Sequence, residues 1–153
     1  LGGRAHYIPA PLVVESKETC AALMEAPEVR TIIDLAKKAK PILVGIGSSD
    51  PAVAAMVRSG YLSRSESRAL LRAGAVGNIC GRSFDTHGNI YECGLNGRIV
   101  GLSLQDLKNR DCVIGVAGGI KKASAILGAL RGSYIKVLVT DDQAAKEIIS
   151  LSN

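Results

Sequence analysis

A glycine pair followed by two lysines is the stretch of this 153-residue chain whose residue types are best suited to chemistry. Gly118 and Gly119 follow a short apolar run at residues 112–117, and Lys121 and Lys122 come just after them. The N–H groups of a glycine turn that opens a helix form a site for anions, and a lysine ammonium adds a charge suited to phosphate. The spacing predicts binding of a small phosphorylated or otherwise anionic metabolite.

The same residues leave other roles open. Lys121 is expected to be solvated rather than to bind a ligand. A lysine whose pKa is lowered by desolvation can also form a Schiff base with a sugar carbonyl, and the sequence does not decide this point. Asp141 and Asp142 are adjacent carboxylates, but they follow Thr140 at the start of a helical pattern. Thr140 is expected to be the N-cap and the aspartates ordinary first-turn residues, rather than an acid/base pair.

The periodicity around these residues predicts a βαβ unit followed by one more helix. The run at residues 112–117 and a second run at 135–140 flank an amphipathic pattern that ends at Gly132. Two strands joined by such a crossover are parallel, and ligands bind beyond the carboxyl ends of parallel strands. The glycine pair and residues 140–142 both fall at such ends, so the site is expected there.

A third apolar run, residues 42–46, is typical of a strand that is covered on both faces. It ends in Gly47 and Ser48, a second candidate loop on the ligand side. The remaining predicted elements are a short strand at 5–8, helices at 16–25, from Pro27, at 52–59, at 63–74 and at 103–107, and a hairpin of strands 76–85 and 90–93. In that hairpin the residues alone favour Asp85 as a turn residue that binds local N–H groups.

Composition places the chain among single-domain proteins of ordinary polarity. Hydrophobic residues make up 47% and charged residues 22%, and no apolar run is long enough to cross a bilayer. The four cysteines show no metal-ligand spacing, which favours reduced thiols in a cytoplasmic protein. The sequence contains no phosphate-binding loop motif, nucleophile elbow or zinc-protease motif, and no cofactor is expected.

The net charge of +5 permits an anionic partner. Arg64, Arg68 and Arg72 recur every four residues and are expected to form a solvated helix face rather than a DNA-binding surface, because Glu66 interrupts them and no aromatic residues intervene. The chain has two histidines, His6 and His87, which leaves little material for histidine-dependent catalysis.

Five segments resemble the effector-binding domain of SorC/DeoR-type bacterial transcriptional regulators. They are GIGS (residues 45–48), RSGYLS (58–63), GAVGNICGR (74–82), FD (84–85) and residues 116–142, in the family's order. The resemblance implies an α/β fold, a Rossmann-like parallel sheet flanked by helices of the NagB/RpiA type, with a small antiparallel hairpin. It also implies a non-enzymatic domain that binds a phosphorylated sugar or similar phosphate ester.

The resemblance also implies site residues. Lys122 matches the lysine of the family's GGxxKAxAI motif, which contacts the effector and contains the glycine pair 118–119. Asp85 matches the aspartate of the FFD segment at the same site, which shifts its expected role from turn residue to ligand contact; Ser83 replaces the first phenylalanine of that segment. Gly45, Gly47 and Ser48 match a loop that lines the pocket.

In full-length members of the family, effector binding changes the oligomer, a dimer or tetramer, and its hold on operator DNA of a carbohydrate-utilisation operon. The helix-turn-helix and the first part of the effector domain are expected to precede Leu1, so that this chain is a single domain carrying part of the pocket and binding effector weakly. An alternative function is that of a sugar-phosphate isomerase or deaminase on the same fold.

Overall fold

The computed structural model describes residues 2–153. Its helices are α1 (Lys17–Glu25), α2 (Pro27–Lys38), α3 (Ala55–Arg58), α4 (Arg64–Arg72), α5 (Leu104–Lys108), α6 (Ala123–Arg131) and α7 (Asp142–Ser152). Its strands are β1 (Ile42–Gly45), β2 (Gly47–Ser48), β3 (Gly77–Ile79), β4 (Arg82–Phe84), β5 (Val113–Val116) and β6 (Val137–Val139). Two 3-10 turns lie at Asn96–Arg98 and Ile120–Lys122.

A parallel sheet in the order β1-β5-β6 is the centre of the fold. Leu43 of β1 pairs with Ile114 of β5, and Ile114 pairs with Val137 of β6. Two residues further along the strands, Gly45 pairs with Val116, and Val116 pairs with Val139. The β5–α6–β6 crossover predicted from the apolar runs is present, and the α/β class is confirmed. Because all three strands run the same way, their carboxyl ends meet at one edge.

A second, antiparallel sheet has the order β2-β3-β4 and corrects one sequence prediction. Residues 76–85 do not form one strand; they form the hairpin themselves, with Cys80 and Gly81 at its turn. Both turn residues have positive φ, 51° and 79°, the backbone geometry of tight hairpin turns. The predicted return strand at 90–93 is reduced to a single bridge between Ile90 and Phe84.

The strand predicted at residues 5–8 is wrong. Residues 2–7 are exposed and irregular, and Ile8 is half-buried against the apolar cluster around Val100 rather than paired with a strand. The predicted helices are all present, and their boundaries differ from the predicted ones by a few residues.

The main core lies between the parallel sheet, the second sheet and helices α5, α6 and α7. It includes Ile79, Phe84, Leu107, Val113 and Ile126, all of them fully buried. The Phe84 and Tyr134 rings are tilted against each other with centroids 5.5 Å apart. A smaller cluster joins α1 and α2 to the segment around Val100.

The Arg82 side chain stabilises the connection between the two clusters. Its guanidinium donates to the carbonyl oxygens of Asn96, Ile99, Gly101 and Leu102 at 2.6–3.3 Å. Burial lowers the pKa of Arg82. The planar, multi-donor shape of arginine suits this bridging, which a lysine ammonium cannot reproduce.

One face of the parallel sheet is bare. Side chains alternate along β1 and β5, so that Ile42, Val44 and Val113 enter the core while Leu43 and Val116 point away from it. Leu43 is 69% exposed and Val139 is 52% exposed. The expectation of a strand covered on both faces therefore does not hold for β1 within residues 2–153, because the helices described there pack on the opposite face.

Candidate functional site

Three loops meet where the parallel strands end. β1 leads into Gly47 and Ser48, β5 leads into Gly118 and Gly119, and β6 leads into residues 140–141. Six of the seven predicted site residues lie in or beside these loops; Asp85 is the exception. The edge is therefore the candidate site, as the βαβ pattern predicts.

Lys122 forms hydrogen bonds to the loop after β1 and to the loop after β5. Its Nζ donates to the carbonyl oxygen of Ile46 at 3.1 Å, and its backbone N–H donates to the Gly119 carbonyl oxygen at 2.9 Å. The residue lies in the 3-10 turn before α6 rather than inside the α-helix, and its side chain is half-buried. The ammonium has three donors, so two remain for a ligand. Its neighbour Lys121 is exposed.

Gly118 and Gly119 form a turn in which the Gly119 N–H already has a hydrogen-bond partner. Gly119 has φ 90°, in the region that favours glycine, and its N–H donates to Oδ2 of Asp141 at 2.5 Å. A Cβ added at Gly118 would lie 2.4 Å from the same oxygen, so only glycine fits there. The turn is thus packed against a carboxylate of this chain.

The residue expected to cap the last helix was wrong by one position. The N-cap of α7 is Asp141, not Thr140: Oδ1 of Asp141 accepts from the Ala144 N–H at 2.8 Å. The hydrogen bonds from the Ala144 and Gly119 amides lower the pKa of Asp141. Thr140 lies one residue earlier, and its Oγ1 is buried without a hydrogen-bond partner within residues 2–153. The sequence signal was present in the Thr-Asp-Asp run, but it did not show which residue caps the helix.

The loop after β1 is used mainly for internal contacts. Ser48 is buried; its Oγ accepts from the Asp50 N–H at 3.1 Å and lies 3.4 Å from the Lys121 carbonyl oxygen. Gly47 lies so close to Asn78 that an added Cβ would be 2.7 Å from the Asn78 side-chain oxygen. Asn78, which the sequence did not single out, therefore belongs to this edge. Gly45 lies on the bare sheet face, with open space where a Cβ would be.

Asp85 lies in a different environment. Its Oδ1 accepts from the His87 and Asn89 N–H groups at 2.9 and 2.8 Å, and its Oδ2 accepts from the Asn89 side chain at 3.0 Å. Burial alone would raise the pKa of Asp85, but these hydrogen bonds bring it below its ordinary value. Its backbone packs against Gly128, six residues along from Lys122, and Asp85 makes no ion pair with Lys122 within the described chain. The local turn role expected from the residues alone is present.

Three further features of the described residues bear on other classes of site. Residues 2–153 contain no cluster of three His, Cys, Asp or Glu side chains able to hold a metal ion. Arg64, Arg68 and Arg72 are all exposed on α4. None of the helices described here has the length and apolar character needed to cross a membrane.

Comparison with known proteins decides the family. Residues 1–150 match the family described as "Putative sugar-binding domain". The chain belongs to this family. It is 37% identical over 145 residues to the deoxyribonucleoside regulator of Bacillus subtilis (strain 168), covering 94% of this chain and 45% of that protein.

Solved structures of bacterial transcriptional regulators contain the same fold. The sugar-binding domain of a transcriptional repressor from Vibrio fischeri is similar with a TM-score of 0.86 and 32% identity, over 99% of this chain and 60% of that one. The full-length sorbitol operon regulator SorC from Klebsiella pneumoniae gives a TM-score of 0.79 and 29% identity, over 91% of this chain and 45% of that one. The chain thus spans about half the length of the curated regulators it matches.

Proposed function

We propose that this sugar-binding domain senses a phosphorylated sugar, or a similar phosphate ester, for a bacterial transcriptional regulator of the cytoplasm. The observation that carries the proposal is Lys122, whose half-buried ammonium is held at the strand ends with two donors unused. A lysine ammonium is a point charge suited to anionic and hydroxyl-rich ligands. The names of the relatives, which are transcriptional regulators, support a sensing role rather than turnover.

Asp85 is proposed as a second effector contact. An ionised carboxylate offers about four acceptor positions, and the turn uses three of those of Asp85. The remaining position on Oδ2 can accept from a ligand hydroxyl without breaking the turn. In this proposal the turn holds the carboxylate ready rather than competing with the ligand.

The pocket is proposed to be completed by a further part of the regulator. The solved sugar-binding domain from Vibrio fischeri contains residues beyond the 60% of it that this chain covers, and the bare face of the parallel sheet offers an apolar surface for such residues. In the complete regulator, effector binding would change a homo-oligomer, a dimer or tetramer, and through it the hold of a separate helix-turn-helix domain on operator DNA of a carbohydrate operon.

The experiment that tests the effector site compares two neighbouring lysines. Lys122→Met in the complete regulator should weaken binding of the best sugar phosphate from a panel roughly ten- to a hundredfold, the range expected for losing a hydrogen bond to a charged group. Lys121→Met is the matched control, because this side chain is exposed, and should change the affinity less than about twofold. Isothermal titration calorimetry measures both; equal effects of the two substitutions would contradict the role of Lys122.

Two further measurements test the shared pocket and the absence of turnover. The chain by itself should bind sugar phosphates weakly or not at all, and tight binding would contradict the idea of a shared pocket. Incubation with pentose and hexose phosphates should leave the sugars unchanged. Isomerised or deaminated product would instead support the enzymatic alternative.

A further inference from the structure

Helix α4 and the second sheet enclose a small polar cavity next to the candidate site. Its lining includes the buried residues Ser49, Ser67 and Ser83, and none of the residues around it is exposed. The space open to the centre of a water-sized sphere is about 10 Å³. This volume is close to the smallest that holds one water molecule, and it is too small for an organic ligand.

Strand pairing in the second sheet directs Ser83 toward this cavity. Ser83 of β4 is paired with Asn78 of β3, so both side chains lie on the same face of the sheet. The next residue, Phe84, points to the opposite face and packs against Gly128 of α6 in the main core. Position 83 is also where this chain has serine in place of the phenylalanine of the FFD segment. The short serine side chain leaves space between the sheet and α4.

The hydroxyl groups of the three serines differ in their partners. Oγ of Ser67 donates to the carbonyl oxygen of Ser49 at 2.8 Å. Ser83 is held through its backbone N–H, which donates to Oδ1 of Asn96 at 2.9 Å. Within residues 2–153, the hydroxyls of Ser49 and Ser83 form no hydrogen bond, although these residues are only 5% and 3% exposed. A buried hydroxyl without a partner is unfavourable, and protein interiors normally supply a protein group or an ordered water.

We propose that the hydroxyls of Ser49 and Ser83 bind one water molecule in this cavity as a structural part of the protein. The water connects the segment after β2 to β4, and the Ser67 hydroxyl connects the same segment to α4. Buried waters form about three hydrogen bonds, and the side-chain amide of Asn78, which also lines the cavity, is the third partner. The inference is independent of the effector proposal, because every group in it belongs to this chain.

The sign of a stability change tests whether the cavity holds water. If the water is bound, Ser83→Ala and Ser49→Ala each remove one of its hydrogen bonds, and each should lower the Tm by about 2–4 °C. If the cavity is dry, alanine removes an unpaired polar group and the Tm should rise instead. The Ser49→Ala/Ser83→Ala double variant should lose less than the sum of the single losses, because both substitutions act on the same water. Thermal unfolding of the chain measures all three variants.

Ser59→Ala is the matched control, because Ser59 is exposed at the end of α3; its Tm should stay within about 1 °C of the unsubstituted protein. A crystal structure of the chain should show electron density for one water roughly 2.7–3.0 Å from both serine oxygens. A raised Tm in either single variant, fully additive losses in the double variant, or a direct hydrogen bond between the two hydroxyls in the crystal would overturn the proposal. No sugar is present, so these outcomes leave the effector proposal untouched.

Discussion

Lys121 and Lys122 lie in the same 3-10 turn, but their side chains point in different directions. Lys122 faces inward and donates to the Ile46 carbonyl oxygen, while Lys121 is exposed and contributes its backbone carbonyl near Ser48. A charge held by a fixed acceptor loses less side-chain entropy on binding a ligand than a freely rotating one. The geometry therefore favours Lys122 over Lys121 as the ligand-binding residue.

Asp85 provides a prediction at the residue scale. Asp85→Ala removes all three acceptor contacts of the turn and should destabilise the domain by about 1 kcal/mol. Asp85→Asn keeps an oxygen that can accept from the His87 and Asn89 N–H groups, so its stability loss should be smaller. Chemical denaturation of the chain measures both values.

The same pair separates the two roles of Asp85. If its carboxylate contacts the effector, Asp85→Asn should lower sugar-phosphate affinity in the complete regulator, by roughly tenfold, despite its small stability cost. Affinity that stays unchanged in Asp85→Asn would leave Asp85 with the turn role alone.

At the scale of elements, a short helix is anchored by one carboxylate. Asp106 forms a capping box with Ser103 at the start of α5, and its other oxygen lies 3.2 Å from the Lys37 ammonium of α2. Burial alone would raise the pKa of Asp106, but the Ser103 hydrogen bonds and Lys37 bring it below its ordinary value. The Asp106 side chain therefore completes the capping box of α5 and connects α5 to α2.

Asp106→Ala should destabilise the domain by about 1–2 kcal/mol near neutral pH, the typical cost of losing a helix cap. Because the pKa of Asp106 is lower in the folded than in the unfolded protein, its stabilisation is complete above the unfolded value and is lost as pH falls through the folded value. Thermal unfolding of both proteins should accordingly give a difference in Tm that shrinks as the pH is lowered below about 4.

The comparison for this prediction is Asp111→Ala. Asp111 pairs with Lys40 at 3.6 Å, but both side chains are largely exposed. Solvent screens such a pair, so the substitution should change stability by less than about 0.5 kcal/mol at any pH. If Asp111→Ala destabilised the domain as much as Asp106→Ala does, the capping box of α5 would not explain the effect of Asp106→Ala.

At the scale of the whole molecule, the bare sheet face is the feature that needs a partner. Parallel sheets are normally covered on both faces, yet Leu43, Val116, Val137 and Val139 are each more than 40% exposed. Contiguous apolar surface of this kind marks an interaction site or a surface prone to self-association. This is the surface proposed to bind the rest of the sugar-binding domain.

Substitutions on this face should act oppositely in the two settings. In the chain by itself, Leu43→Lys with Val139→Lys should reduce self-association and the binding of a hydrophobic dye. In the complete regulator the same pair should destabilise the domain by more than about 2 kcal/mol, because the charges would then be buried. Sedimentation velocity and thermal unfolding measure these effects.

Ile149→Lys is the control for the sheet face. Ile149 is 65% exposed on α7, so it offers a comparable apolar side chain outside the sheet. This substitution should have little effect in either setting. If the sheet-face pair leaves the stability of the complete regulator unchanged, the proposed docking of the rest of the domain on this face is wrong.

Local sequence determined most of the elements and their order. The apolar runs at residues 42–46, 112–117 and 135–140 predicted the parallel strands, because burial in a sheet demands continuous aliphatic residues. The Ser63 capping box predicted the start of α4, because a cap is made within four residues. The motif segments also identified the family, which the comparison confirmed.

The tertiary structure decided the features that depend on residues distant in the chain. The division of residues 76–85 into two strands reflects a turn at Cys80–Gly81 packed against Ile99, and the irregular residues 2–7 lack a partner strand. Likewise, the Gly119 N–H is bonded to Asp141, 22 residues away, although the sequence pattern predicted a free anion site. A pattern of residues specifies which donors a loop has; only packing decides whether they are still free.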